Sequence, residues 1–251
     1  MKNFFASKNT FDQIFQGPKD DFTNNEASFG ITPEKPMPAS GITELVFIVD
    51  RSGSMMGREN DTIGGLNAVL ERHRQIEGHT LVSLVLFDDV CEILYDRVPL
   101  EDVAPLTSRE YWVRGCTALL DAVGGGVQHI DRVQRYMPPG FKSEKVIFVI
   151  ITDGAENASK RYSYGQVKQL IEKHQDEGWE FMFLGANIDA VEEAGRIGIA
   201  QDRAETYVCD EIGNEVMYHA VAQATADMRF ETGRIGSLWK EDIVKDRESR
   251  A

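Results

Sequence analysis

Short apolar runs alternate along this chain with amphipathic stretches, and that alternation restricts the fold more than any other feature. Thr43–Val49, Leu81–Phe87, Val146–Ile151 and Glu180–Gly185 read as strands. Between them, Thr62 to Ile76, the stretch from Thr117 to Tyr136, and Tyr164 to Asp176 carry helical periodicity. Cys91–Tyr95 reads as a short antiparallel hairpin partner on the edge, Asp189 to Arg196 as a short helix, Thr206–Cys209 as a last short strand, and Asn214 to Met228 as a closing helix. Such a chain folds as an α/β protein: a doubly wound, mostly parallel six-stranded sheet with helices on both faces and right-handed crossovers. Gly124, Gly125 and Gly126 lie inside the second helical stretch. Each weakens a helix by about 1 kcal/mol relative to alanine, so either close packing against the sheet compensates or the helix breaks there.

Three segments place hard oxygen groups where a strand gives way to a loop or helix. Asp50-Arg51-Ser52-Gly53-Ser54 follows the first strand, with a carboxylate and two hydroxyls at alternate positions. Gly115-Cys116-Thr117-Ala118-Leu119-Leu120-Asp121 enters a helix, and Thr152-Asp153-Gly154 ends the Val146 strand. An Asx- or Ser-type turn accounts for the first segment taken alone. In open α/β sheets, however, ligands bind outside the carboxyl ends of the strands, at the point where strand order reverses. If the Thr43 and Val146 strands are neighbours there, Asp50 and Asp153 face one crevice. Carboxylates and hydroxyls in that arrangement suit Mg²⁺.

In order and spacing, Asp50-x-Ser52-x-Ser54, Thr117 and Thr152-Asp153-Gly154 resemble the metal-ion-dependent adhesion site (MIDAS) of von Willebrand factor A domains. The resemblance covers roughly residues 41–229, and is strongest to the small stand-alone bacterial members. It implies the strand order 3-2-1-4-5-6. It also implies a cation held by Ser52, Ser54 and Thr117, with Asp50 and Asp153 bound directly or through water. One coordination position stays open for a carboxylate of a partner protein. Mg²⁺ is the implied ion, with Mn²⁺ or Ca²⁺ as substitutes. Many family members carry a glycine before the threonine, whereas this chain has Cys116.

Several neighbours of these segments are candidates for a second shell or rim: Arg51, Arg114, Asp121, Gly154 and Glu156, with Asn157 close by. Arg51 and Arg114 either add a bidentate contact to the incoming acid or neutralise nearby aspartates. Asp121, four residues after Thr117, either shares its helical face and orients water or serves the helix start. Met55 and Met56 offer an adaptable apolar rim or pack beneath the loop.

The formal net charge of −14 argues against general nucleic-acid binding. Between Glu172 and Glu215, twelve acids face only Lys173, Arg196 and Arg203. An anionic partner is repelled there, so an acidic ligand has to be captured locally, by a bound cation. No apolar run approaches the ~20 residues of a membrane span, and the N-terminus is too polar for a secretory signal. Cys91, Cys116 and Cys209 form no CxxC pair; buried free thiols fit a reducing compartment, and the cytoplasm is the expectation. The five histidines, His73, His79, His129, His174 and His219, form no ligand-like cluster in sequence.

Residues 1–40 read as a flexible arm, apolar enough at Phe4, Phe5, Phe11, Ile14 and Phe15 to dock on the domain or a partner. Residues 41–229 form the domain, and 230–251 a loosely held tail. The expected function is a metal-dependent protein-binding module that captures an Asp or Glu of a protein partner, without catalysis. The alternatives are a Mg²⁺- or Mn²⁺-dependent hydrolase with Asp121 or Glu156 as base, or an assembly component whose contact is the arm. Oligomeric state is not legible.

Overall fold

β1 (Ile42–Asp50) runs through the middle of one sheet, between β2 (Thr80–Phe87) and β4 (Ser143–Thr152), and is parallel to both. The computed structural model describes residues 9–10, 41–230, 235–236 and 238–250. β3 (Cys91–Pro99) lies antiparallel outside β2, while β5 (Glu180–Gly185) and β6 (Ala204–Thr206) continue in parallel beyond β4. The order is therefore β3-β2-β1-β4-β5-β6, as the motif resemblance implies. A two-residue strand, Asn9–Thr10, adds a seventh by pairing antiparallel with Ile93 and Glu92 on β3. The remaining apolar residues of the expected N-terminal arm lie outside the described residues.

Among the described residues, six α-helices pack around the sheet: α1 (Glu59–Arg74), α2 (Leu119–Tyr136), α3 (Tyr164–Asp176), α4 (Ala190–Arg196), α5 (Glu211–Phe230) and α6 (Glu241–Ser249). The central strands bury both faces, which is why they read as continuous apolar runs. Leu45, Phe47, Val49, Ile147, Val149 and Ile151 point into the core beneath α1 and α5. Their alternates Val46, Ile48, Val146, Phe148 and Ile150 point into the core beneath α2 and α3.

The three glycines of α2 leave the helix unbroken. A Cβ on Gly124 would lie 2.6 Å from the Tyr162 ring, and one on Gly126 would lie 3.1 Å from Ile48 Cδ1. Close approach to the loop and the sheet offsets their low helix propensity.

Some boundaries differ from the sequence reading. β3 is nine residues rather than a short hairpin partner, because register shifts against β2 and a positive φ of 52° at Arg97 let it bend and continue. The last strand is Ala204–Thr206, not Thr206–Cys209: β5 ends at Gly185, whose carbonyl accepts from Tyr207 N, and Asp210 already serves the start of α5 by accepting from Gly213 N at 2.8 Å. Where a loose tail is expected, α6 buries Ile243, Trp239 Nε1 donates to Asp202 O at 2.7 Å, and Lys240 Nζ donates to the carbonyls of Gln201 and Ala204. Its balanced charge conceals that anchoring. No helix among the described residues is long and apolar enough to cross a membrane.

Candidate metal centre

Strand order reverses between β1 and β4, and three loops meet at their carboxyl ends. Asp50, the last residue of β1, is fully buried. Its Oδ1 accepts from Ser52 N at 2.6 Å and its Oδ2 from Thr152 Oγ1 at 2.6 Å, so the turn and the neighbouring strand both orient it. A 3-10 turn over Gly53–Met55 then carries Ser54 back over the site. Ser52 Oγ and Ser54 Oγ are 2.9 Å apart, Thr117 Oγ1 donates to Ser52 Oγ at 3.1 Å, and Ser54 Oγ donates to Asp153 Oδ1. The structure thus brings Asp50, Ser52, Ser54, Thr117 and Asp153 into one hydrogen-bonded cluster.

Glycine is required beside them. A Cβ on Gly154 would sit 2.8 Å from Thr117 Oγ1 and 3.1 Å from Ser54 Oγ, closing the space between the oxygens.

The loop that carries Thr117 is braced from behind. Thr117 N donates to Asn157 Oδ1 at 2.9 Å, while Thr117 O accepts from the backbone N–H of Asn157 and Ala158. Gly53 N donates to Gly115 O at 3.2 Å, and Ala118 N to Asp88 O at 2.8 Å. Glu156 spends both carboxylate oxygens locally: Oε2 accepts from Leu120 N at 2.9 Å, at the start of α2, and Oε1 from Ala158 N and Ser159 N.

The expected rim residues take other positions. α2 begins at Leu119, so Thr117 precedes it and shares no helical face with Asp121. The Asp121 carboxylate instead accepts from the backbone N–H of Lys160, Arg161 and Tyr162 at 2.8–2.9 Å, pinning that loop. Arg51 is buried rather than at the rim, with Nε on Asp88 Oδ2 at 2.8 Å and Nη1 on Glu92 Oε2 at 3.0 Å. Arg114, partly exposed, donates from Nε to the same Asp88 oxygen at 2.7 Å and stacks over Trp112 at 4.5 Å. Both arginines neutralise aspartate and glutamate behind the loops. Met55 is buried under its turn and Met56 is exposed. Of the three free thiols only Cys91 is buried; Cys116 is exposed, since its loop turns it outward, and Cys209 is intermediate.

Thr152 and Tyr111 belong to the site's support and were not singled out from sequence as site residues. Tyr111 OH donates to Asp50 O at 2.6 Å from a loop with no motif of its own. The Thr-Asp-Gly signature contained Thr152, but only the β1–β4 pairing shows that its hydroxyl serves Asp50.

Burial pushes the Asp50 carboxyl up to about 6 against the hydrogen bonds from Thr152 and Ser52, and Asp153 adds to the rise. Burial also raises Asp153 above the ordinary carboxylate range, against the bond from Ser54. Asp153 Oδ2 is buried without a hydrogen-bond partner. Among the described residues, no Lys, Arg or His forms an ion pair with Asp50 or Asp153. Two buried carboxylates, three hydroxyls and an orphaned oxygen, with Arg58 acting on Asp153 only from beyond ion-pair distance, match the donor set of a hard divalent ion.

No family model and no curated protein matches the sequence. Solved structures do. The von Willebrand factor domain of the type V pilus tip protein Mfa5 from Porphyromonas gingivalis superposes with a TM-score of 0.57 at 11% identity, covering 79% of this chain and 99% of that one. The pilus adhesin SpaC from Lactobacillus rhamnosus GG gives 0.55 at 13% identity, covering 76% of this chain and 30% of SpaC. Proximal thread matrix protein 1 from the mussel byssus, solved with a zinc-occupied MIDAS motif, gives 0.50 at 15% identity, covering 76% of this chain and 47% of that one. The chain thus spans less than half the length of the last two. Its fold is that of the von Willebrand factor A domains.

Proposed function

We propose that the protein is a metal-dependent protein-binding module. Asp50, Ser52, Ser54, Thr117 and Asp153 hold a divalent cation, Mg²⁺ by donor hardness, and a partner's Asp or Glu completes its coordination. The observation that carries this reading is the convergence of three hydroxyls on a buried carboxylate pair that has no ion-pair partner among the described residues. The zinc-occupied motif of the mussel protein supports a divalent ion at this position of the fold. The adhesins among the structural neighbours support capture of a ligand rather than turnover. Asp121 and Glu156, the two candidate bases for a hydrolase, are committed to backbone N–H groups, which favours binding over catalysis.

When bound, the cation supplies a directed electrostatic contact, strengthened in a crevice by the reduced dielectric. The chain's own residues orient the ligands: Thr152 and Ser52 N fix Asp50, and Asn157 fixes Thr117. Residues 41–229, with α6 docked on them, form the binding unit. Its free thiols suit a reducing, cytoplasmic setting.

The test is capture of partners from native extract on the immobilised protein, in Mg²⁺ and then in chelator, beside Asp50→Ala and Thr117→Ala. Partners that appear only with Mg²⁺ and the unmodified site are expected. The same partners retained in chelator and by both variants would end this reading.

A further inference from the structure

The carboxyl-terminal turns of α2 and α3 meet at the opposite pole from the three loops. Gln134 near the end of α2 accepts from Ser143 N at the start of β4, which places this corner beside the amino ends of the strands. α2 rises about 1.5 Å per residue, so Asp131, near its end, lies well away from Thr117 at its start.

His174, in the last turn of α3, is fully buried and stacks on Trp179 with ring centroids 4.1 Å apart. Its Nδ1 lies 2.7 Å from Glu177 Oε2, a hydrogen bond that fixes the ring. Its Nε2 is buried with no hydrogen-bond partner and faces Asp131 Oδ1 at 3.7 Å. When Nδ1–H donates to Glu177, Nε2 presents a lone pair, so two acceptors oppose each other across that gap. Such a pair repels unless a proton or a metal cation lies between.

We infer that Asp131 and His174, with Glu177 orienting the imidazole, form a second cation site for a Zn²⁺-class ion. Zn–N and Zn–O bonds of about 2.0–2.2 Å in an open angle span a gap of this width. A carboxylate holding the far nitrogen of a ligating histidine is the usual second layer of such sites. An imidazole donor selects a borderline transition metal over Mg²⁺. A cleft of about 400 Å³, lined by Asp131, Ser143, Lys173 and Glu177 among others, opens beside the group.

Lys173 Nζ lies 3.6 Å from Asp131 Oδ1 and 3.7 Å from Glu177 Oε1, and the side chain is about half exposed. Its ammonium is the internal competitor: it neutralises the carboxylates in the absence of metal and withdraws to solvent when an ion enters. Arg135 also pairs with Asp131 and holds its other oxygen. The ion would tie α2 to α3 at their ends.

The test uses the full chain carrying Asp50→Ala and Cys116→Ser, so that neither the first site nor the exposed thiol takes up metal and the outcome is independent of the function proposed above. Zn²⁺ is titrated by calorimetry while long-range ¹H–¹⁵N spectra follow the His174 ring. One equivalent is expected to bind with the His174 Nε2 resonance moving to its metal-bound position. Affinity should fall at least tenfold on adding Asp131→Asn and rise severalfold on adding Lys173→Met. A His174 ring that stays unchanged through the titration, or uptake indifferent to both added substitutions, overturns the assignment.

Discussion

β1 carries a buried carboxylate at each end, and the two are treated in opposite ways. Glu44, near its start, receives Arg97 Nε on both oxygens at 2.9 and 3.0 Å, with Ser143 Oγ at 2.9 Å and Gln134 Nε2 at 3.0 Å. Its pKa is still raised, because burial outweighs the arginine and the hydrogen bonds. Asp50, at the other end, has hydrogen bonds from Thr152 and Ser52 but no cation, and a second buried acid, Asp153, beside it. The chain supplies its own counter-charge to Glu44 and pairs none with Asp50, where the proposed ion would enter. Buried charge without an internal partner is costly, so the omission singles out this end as the candidate site.

The largest effect should come from breaking the closed end. Arg97→Ala is expected to cost about 3–5 kcal/mol in urea denaturation, since it strands Glu44 inside the protein; a cost below about 1 kcal/mol would erase the contrast. At the open end, Asp50→Asn should weaken Mg²⁺ binding by at least about 100-fold in calorimetry, yet leave the metal-free fold at neutral pH at least as stable. Saturation with Mg²⁺ at 100 times its dissociation constant should add about 2.7 kcal/mol to unfolding stability, and Asp50→Asn should abolish that increment.

Gly154→Ala is expected to lower Mg²⁺ affinity roughly tenfold by crowding Thr117 and Ser54, read by the same titration. The smallest effect is on pH dependence in chelator. A carboxyl raised to about 6 contributes stability that is full below the ordinary Asp range and lost as pH climbs through 6. Stability should fall by about 1 kcal/mol per pH unit over that window. Asp50→Asn should remove most of this slope, leaving the smaller part that the raised Asp153 carboxyl contributes, whereas a slope unchanged by the variant would place the titration elsewhere.

Strand and helix positions were legible because the central strands are covered on both faces and therefore continuously apolar, and because α3 and β5 are bounded by turn residues at Ser163 and Gly185; the strand order came only from the motif resemblance. The convergence of the three oxygen-bearing segments was legible too, since each follows or borders a strand end. What the side chains around them do was not. Asp121, Glu156 and Arg51 sit at suggestive spacings, but each has a partner from a segment 36–41 residues away in sequence, and spacing within a segment carries no trace of those contacts. His174 was opaque for the same reason: Asp131 reaches it only through the packing of α2 on α3.

Asp50 and Asp153 issue from strands locked side by side, with Val49 opposite Ile151 in the ladder. The backbones that deliver the two acids are therefore held near the ~4.8 Å interstrand spacing. Any adjustment to the radius of the guest ion falls to the hydroxyl-bearing turns at Ser52, Ser54 and Thr117, so substitutions that alter ion preference should concentrate there while those at the acids simply abolish uptake.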